Sequence, residues 1–139
     1  MKAMLSVVVA AMALTVSAAV DYYVTVDGSD KNDGLSSATA KASIAAAYTA
    51  MTNGTPEATS GNRLIVGAGE FNMPSETIVL TNGQSVVGAG RDLTRLNVTS
   101  AHRQFALTDS DCSLLSFEID FKSMSMSYYA GTKDELSGA

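Results

Sequence analysis

A four-residue motif occurs twice in this chain and constrains its fold more than any other feature of the sequence. Val66-Gly67-Ala68-Gly69 recurs 21 residues later as Val87-Gly88-Ala89-Gly90, and each copy closes an apolar, β-branched run. A period of that size falls within the range of roughly 20 to 45 residues per repeat that solenoid proteins use. The repeat therefore predicts a parallel β-helix, in which each coil lies over the preceding one.

Short apolar runs separated by Gly, Asn, Asp and Ser continue from Arg63 onward. They predict strands at 64–66, 77–80, 85–87, 95–98, 104–107 and 114–121. Their spacing suggests two stacked ladders, one through Ile65, Val87 and Leu107 and the other through Val79, Val98 and Ile119. A β-sandwich or barrel also has short strands at such intervals, so spacing alone leaves that alternative open. The repeated motif favours the solenoid.

The region before the repeats has a different organisation. A strand is predicted at 22–26, followed by a turn-rich loop at 27–34. Ser43 is placed to cap a helix from Ile44 to Met51, whose apolar face would contain Ile44, Ala47, Tyr48 and Met51. Residues 55–62 lack an apolar period and are predicted to form a surface loop.

The first 19 residues have the pattern of a signal peptide. Lys2 precedes an apolar stretch that ends in small residues, and cleavage is expected after Ala18 or Ala19. A buried N-terminal helix is the weaker alternative. The stretch is shorter than the roughly 20 residues that cross a bilayer, so we expect no membrane insertion after cleavage. The sequence predicts a secreted protein, either extracellular or periplasmic.

The charge of the chain restricts its partners. The chain has nine Lys and Arg residues and 14 Asp and Glu residues, which gives a formal net charge of −5. Removal of the leader, which contains Lys2, makes the net charge more negative. This charge argues against nucleic acid and anionic membranes as partners. It also weakly disfavours acidic polysaccharides, unless a divalent cation or a local basic patch bridges the two.

The turn-rich loop raises the question of a calcium site. It contains Asp27, Asp30, Asn32 and Asp33. Taking Gly34 as the invariant glycine of an EF-hand loop puts Lys31 where an oxygen ligand belongs, so that register fails. Turn formation by the Asp and Asn side chains is the favoured interpretation.

Two pairs of acids, Asp109 with Asp111 and Glu118 with Asp120, are spaced so that each pair would share one face of a strand. Such pairs can bind calcium or divide acid and base roles. The alternation of Leu115, Phe117, Ile119 and Phe121 predicts that these four side chains face the core and that Glu118 and Asp120 face water. Nothing in the sequence fixes Arg91, Arg95 or Arg103 beside the acids, so no catalytic residue or metal ligand is assigned.

The only cysteine, Cys112, cannot form an intrachain disulfide. The apolar neighbours Leu114 and Leu115 predict that it is a small buried hydrophobe, and the only histidine, His102, lies ten residues upstream in a polar turn.

Five segments, taken in order, resemble one known family. They are Tyr22-Tyr23-Val24, the loop from Asp27 to Ser36, the helical segment from Ser43 to Met51, Leu64 to Phe71, and Val86 to Thr94. In that order they are similar to the N-terminal end of secreted bacterial right-handed parallel β-helix proteins of the pectate-lyase-like group. The resemblance implies that residues 20–62 form a strand, loop and capping helix and that 63–139 form the first coils.

The resemblance also implies a function. Members of this group act on polysaccharides, as lyases or glycoside hydrolases, and some use calcium. Their catalytic residues generally lie in the middle of a longer stack, so we expect this chain to be an N-terminal fragment that is inactive alone, with a polysaccharide as partner of the full-length parent. The alternative is a non-catalytic surface protein or adhesin, in which the β-helix is a spacer or binding surface.

Overall fold

The computed structural model describes residues 18–100 and 102–121, and in these residues it contains nine short strands and one helix. The predicted signal peptide lies outside the described residues except for Ala18 and Ala19. The elements in chain order are β1 (Asp21–Val24), α1 (Ile44–Met51), β2 (Arg63–Val66), β3 (Gly69–Asn72), β4 (Ile78–Leu80), β5 (Ser85–Gly88), β6 (Thr94–Asn97), β7 (Phe105–Leu107), β8 (Ser113–Leu115) and β9 (Glu118–Asp120).

The strands form three parallel sheets. The first sheet has the order β1-β2-β5-β8, the second β3-β6-β9, and the third contains β4 and β7. From β2 to β9, successive strands enter the first, second and third sheets in rotation. The described chain is therefore mostly parallel β-strand with one short helix.

The core lies on the inner faces of these sheets. Alternation along β2 buries Leu64 and Val66, and the same periodicity buries Ile78 and Leu80 of β4. The buried apolar side chains are Val24, Ala40, Ile44, Ala47, Met51, Leu64, Val66, Phe71, Met73, Ile78, Leu80, Val86, Leu96, Val98 and Cys112.

Helix α1 has the predicted bounds and the predicted cap. The side-chain oxygen of Ser43 accepts a hydrogen bond from the backbone N–H of Ala46 at 3.2 Å. Ile44, Ala47 and Met51 are buried, and Tyr48 packs against the core while partly exposed, which confirms the predicted apolar face. The helix packs on β1 and β2.

Residues before β2 satisfy backbone groups along two strand edges. The Tyr48 hydroxyl donates to the carbonyl oxygen of Val79 at 3.0 Å and accepts from the Val79 N–H at 3.1 Å. On β1, the Tyr23 N–H donates to the Gly34 carbonyl, and the Lys41 N–H donates to the Tyr23 carbonyl. An open edge would otherwise offer these groups to another chain.

Two buried amides fasten the turns that precede β2 and β5. Asn62 donates to the Met51 carbonyl at 3.0 Å and accepts from the Val20 N–H at 2.8 Å. Gln84 donates to the Thr59 carbonyl at 3.1 Å. The prediction that 55–62 is a surface loop is therefore wrong at Thr59 and Asn62, which are buried because their polar groups bond inside the fold.

The two copies of the repeated motif are not in register. Ile65 pairs with Val87, as predicted, but this pairing places Val66 opposite Gly88 rather than opposite Val87. The repeat in this sheet is one residue longer than the motif spacing. The 22-residue step is the sum of β2, β3, β4 and the three connections that lead from β2 to β5.

The remaining ladder predictions fail for a related reason. Leu107, predicted to lie opposite Val87, pairs instead with Leu80 in the third sheet. The residue opposite Val87 is Leu115. In the second predicted ladder, Val79 pairs with Ala106, and Ile119 pairs with Leu96. The connections between strands differ in length. A ladder predicted with a constant number of residues per repeat therefore passes from one sheet into another.

Candidate functional site

The outward face of the second sheet, formed by β3, β6 and β9, carries polar side chains in register. Glu70 lies opposite Arg95, which lies opposite Glu118. Two residues further along, Asn72, Asn97 and Asp120 are aligned in the same way. Parallel pairing therefore brings together six polar residues from three distant parts of the chain, and we call them the polar face.

Arg95 is the centre of the polar face. Its guanidinium lies 3.5 Å from Glu70 Oε1, 3.7 Å from Glu118 Oε2 and 3.9 Å from Asp120 Oδ2. The side chain of Arg95 is 43% exposed, so these pairs are screened by water and add little stability. The cluster is instead an accessible array in which one guanidinium is shared among three carboxylates.

Asn97 lies beside this array and turns its amide nitrogen towards it. Its Nδ2 lies 3.5 Å from Glu70 Oε2, at the limit of a hydrogen bond. Its Oδ1 is buried, accepts no hydrogen bond from the residues that the structure describes, and is not open to a ligand. The accessible part of the polar face thus combines guanidinium and amide donors with carboxylate acceptors, the groups that can bind several hydroxyls at once.

The structure confirms part of the sequence-based prediction for this region. Glu118 and Asp120 lie on the outward face, as expected. The interpretation that no arginine is fixed beside the acids is wrong for Arg95. The contact was missed because the step from β6 to β9 exceeds the motif period, so Arg95 and Glu118 were never placed in one rung.

The predicted core alternation of the last strand is interrupted. The segment 114–121 forms parts of two strands, β8 and β9, separated at Ser116, which has a φ of 64°. Phe117 and Ile119 pack against the core, but Leu115 is 50% exposed, contrary to the prediction. The left-handed residue reverses the phase of the alternation, so Leu114 faces the core instead.

Asp109 and Asp111 do not share a strand face, because both lie in the turn between β7 and β8. Asp109 accepts hydrogen bonds from the Cys112 thiol, the Asp111 N–H and the Asn82 N–H. The bond from Cys112 is the largest cause that lowers the pKa of Asp109, and the backbone amides add to it. Asp109 is therefore an ionised turn residue rather than a proton donor, and Cys112 is buried as predicted.

The loop at 27–34 is organised by its own side chains. Asp33 accepts from the Leu35 N–H at 2.9 Å and from the Thr39 hydroxyl at 2.7 Å, and these bonds lower its pKa. Burial alone would raise the pKa of Asp30, but hydrogen bonds from Ser43 and Ala42 outweigh it and lower that pKa. The prediction of turn formation is confirmed for Asp33, whereas the Asp30 carboxylate binds Ala42 and Ser43, 12 and 13 residues away, at the start of helix α1. Within 18–100 and 102–121, no group of three or more His, Cys, Asp or Glu residues is arranged to hold a metal ion.

Two further findings concern the whole described chain. No helix in its described part is long and apolar enough to cross a membrane. Comparison with protein-family models, with curated proteins and with solved structures found no match. The function must therefore be argued from the sheets and the side chains that they carry.

Proposed function

We propose that the three sheets are the faces of a right-handed parallel β-helix of the pectate-lyase-like kind, with residues 20–62 as its N-terminal cap. The rotation of strands through the sheets supports this arrangement, because each full rotation would complete one coil. The burial of Ile44, Ala47 and Met51 supports a capping role for α1. Without these side chains, the end of the first coil would be open to water.

As function, we propose that the chain is the N-terminal part of an exported carbohydrate-active protein and contributes a polysaccharide-binding surface. One observation carries the proposal: the polar face runs across three consecutive strands of one sheet. Strand spacing places equivalent side chains about 4.8 Å apart along the sheet. A linear polymer lying along that direction would meet hydrogen-bonding groups at regular intervals.

The charge of the polar face favours neutral glycans over polyuronates. Three carboxylates surround the single guanidinium of Arg95, so the surface is acidic as a whole. A uronate polymer would be repelled unless a divalent cation bridged it to the acids. Neutral sugar hydroxyls, in contrast, can bind both the donors and the acceptors.

In this proposal the bond-breaking residues of a polysaccharide lyase or glycoside hydrolase belong to later coils of a longer parent protein. One alternative is a non-catalytic surface protein or adhesin. The ion pairs that Arg95 shares with three carboxylates support it, because they suit a surface that binds without cleaving. Sequence following residue 139 in the same reading frame would distinguish the two. Stacked carboxylates or a Lys or Arg base would favour the enzyme, and Ser/Thr/Asn-rich repeats ending in an anchor would favour the adhesin.

Affinity electrophoresis of the purified protein tests the binding function. Soluble mixed-linkage β-glucan, xylan and pectate are cast into separate native gels. We expect retardation by at least one neutral glycan, and Arg95→Gln should weaken that binding about tenfold because it removes a charged donor. Arg91→Gln, which changes an exposed arginine in the β5–β6 turn, is the matched control and should bind like the wild type.

Two results would contradict the proposal. Migration unaffected by all three polymers would remove the glycan-binding function, and equal behaviour of the two arginine variants would remove the polar face as its site. Incubation with pectate and calcium should yield no unsaturated product that absorbs ultraviolet light. Product formation would place the catalytic residues within this chain and refute their assignment to later coils.

A further inference from the structure

A pocket that contains no residue of the polar face lies between helix α1 and the connection from β3 to β4. Its volume is about 330 Å³, within the range of roughly 300 to 1,000 Å³ that is common for small-molecule pockets. The helix contributes Ala45, Tyr48 and Thr49, and the connection contributes Pro74, Ser75, Glu76 and Thr77. We call this site the helix pocket.

The hydroxyl protons of three lining side chains are already committed to backbone carbonyls. Tyr48 donates to Val79 at 3.0 Å, Thr49 donates to Ala45 at 2.9 Å, and Thr77 donates to Arg103 at 2.7 Å. The threonine oxygens keep lone pairs that can accept hydrogen bonds. The side chains of the helix pocket therefore offer more acceptors than donors.

Glu76 gives the helix pocket its charge. Its side chain is exposed, and its carboxylate forms no ion pair or hydrogen bond with the residues that the structure describes. A carboxylate without a cation, beside threonine hydroxyls whose protons already bond to backbone carbonyls, favours a ligand that supplies donors and positive charge. A protonated amine supplies both.

Tyr48 adds an aromatic surface in a fixed position. Its hydroxyl both donates to and accepts from Val79, so the end of the side chain is held at the edge of β4. The face of a tyrosine ring carries negative electrostatic potential, which attracts ammonium groups and polarised C–H groups. A sugar ring that bears an amine presents both kinds of group.

We infer that the helix pocket binds a saccharide residue with a free, protonated amino group, with Glu76 as the counter-ion and Tyr48 as the ring platform. The amine follows from the chemistry of the pocket, whereas the choice of a saccharide rests on the proposed carbohydrate function. The pocket is separate from the polar face, so one site can be tested without altering the other.

Titration of the ¹⁵N-labelled protein with a glucosamine trimer tests the inference. We expect amide shifts centred on residues 45–49 and 74–77, and Glu76→Gln should raise the dissociation constant about tenfold or more through loss of a charge-assisted hydrogen bond. Glu57→Gln, which neutralises an exposed glutamate outside the helix pocket, should leave binding unchanged.

Each remaining outcome bears on a defined part of the inference. Absence of shifts at these residues with millimolar trimer, or equal binding by Glu76→Gln and wild type, would overturn it. Equal binding of the N-acetylated trimer would refute the role of the amine. Equal binding of 1,4-diaminobutane would refute the saccharide and leave an amine site. Failure of the electrophoresis test would refute glycan binding by the polar face, whereas shifts at residues 45–49 and 74–77 would still support the helix pocket.

Discussion

Replacement of Gly88 by alanine should destabilise the fold far more than the same change at Gly67, although the two glycines occupy the same place in the repeated motif. A β-carbon at Gly88 would collide with the carbonyl oxygen of Ser116 and lie 2.9 Å from Cβ of Phe117. Ser116 cannot move away freely, because its carbonyl also accepts the Gly90 N–H at 3.0 Å. At Gly67 the nearest atom, the Val24 carbonyl oxygen, lies 3.3 Å away.

The magnitude follows from these contacts. Overpacking costs about 1–3 kcal/mol, and loss of the Gly90–Ser116 hydrogen bond adds about 1 kcal/mol, so Gly88→Ala should lower the free energy of unfolding by about 2–4 kcal/mol. Gly67→Ala should change it by less than about 1 kcal/mol in either direction, because alanine also restricts the unfolded chain. At about 4–8 °C per kcal/mol, the difference in Tm should exceed roughly 5 °C in thermal melts followed by circular dichroism. Equal melting temperatures for the two variants would refute the offset register.

Three other changes test separate contacts by chemical or thermal unfolding. Thr94→Val removes a buried hydroxyl that accepts from the Ala89 N–H and donates to the Gly67 carbonyl. It should lower the free energy of unfolding by about 2–3 kcal/mol, and a loss below about 0.5 kcal/mol would contradict these bonds. Tyr48→Phe should cost about 1 kcal/mol and increase self-association through the freed β4 edge, and an oligomeric state identical to that of the wild type would count against edge protection. The folded-state pKa of Asp30 is lowered, so its contribution to stability is present above the unfolded-state pKa, near 4, and is lost as the pH falls through the folded-state pKa. Asp30→Asn should therefore lose less stability than the wild type on acidification, and parallel pH profiles would contradict that role.

Local features of the sequence were sufficient to predict the helix and most strands. Ser43 has a side chain suited to an N-cap, and the apolar spacing from Ile44 to Met51 matches a helical period, so the bounds were predicted without tertiary information. Strand β3 was missed because Phe71 is the one buried residue in its four positions. Such a strand has little apolar signal of its own and is defined by its pairing with β6.

The candidate site was less predictable because it depends on register. Glu118 and Asp120 were correctly placed outward, since alternation is a local property. Their contact with Arg95 depends on the lengths of every turn between β6 and β9, and no local pattern fixes the sum of those lengths. For the same reason, the burial of Asn62 and Gln84 was not foreseen, because their partners, Met51 and Thr59, lie 11 and 25 residues away in sequence.

Strand pairing and one particular turn hold different parts of the surface. In the register that the turn lengths set, backbone pairing holds Glu70, Arg95 and Glu118 in one row, and strand spacing fixes their separation. The helix pocket depends instead on the particular connection at 74–77 and its position beside Tyr48. Lengthening that connection would alter the pocket while leaving the polar face in place, because β4 is held by its own pairing with β7. A protein built in this way can keep the polar face unchanged while a single turn, such as the one at 74–77, is altered.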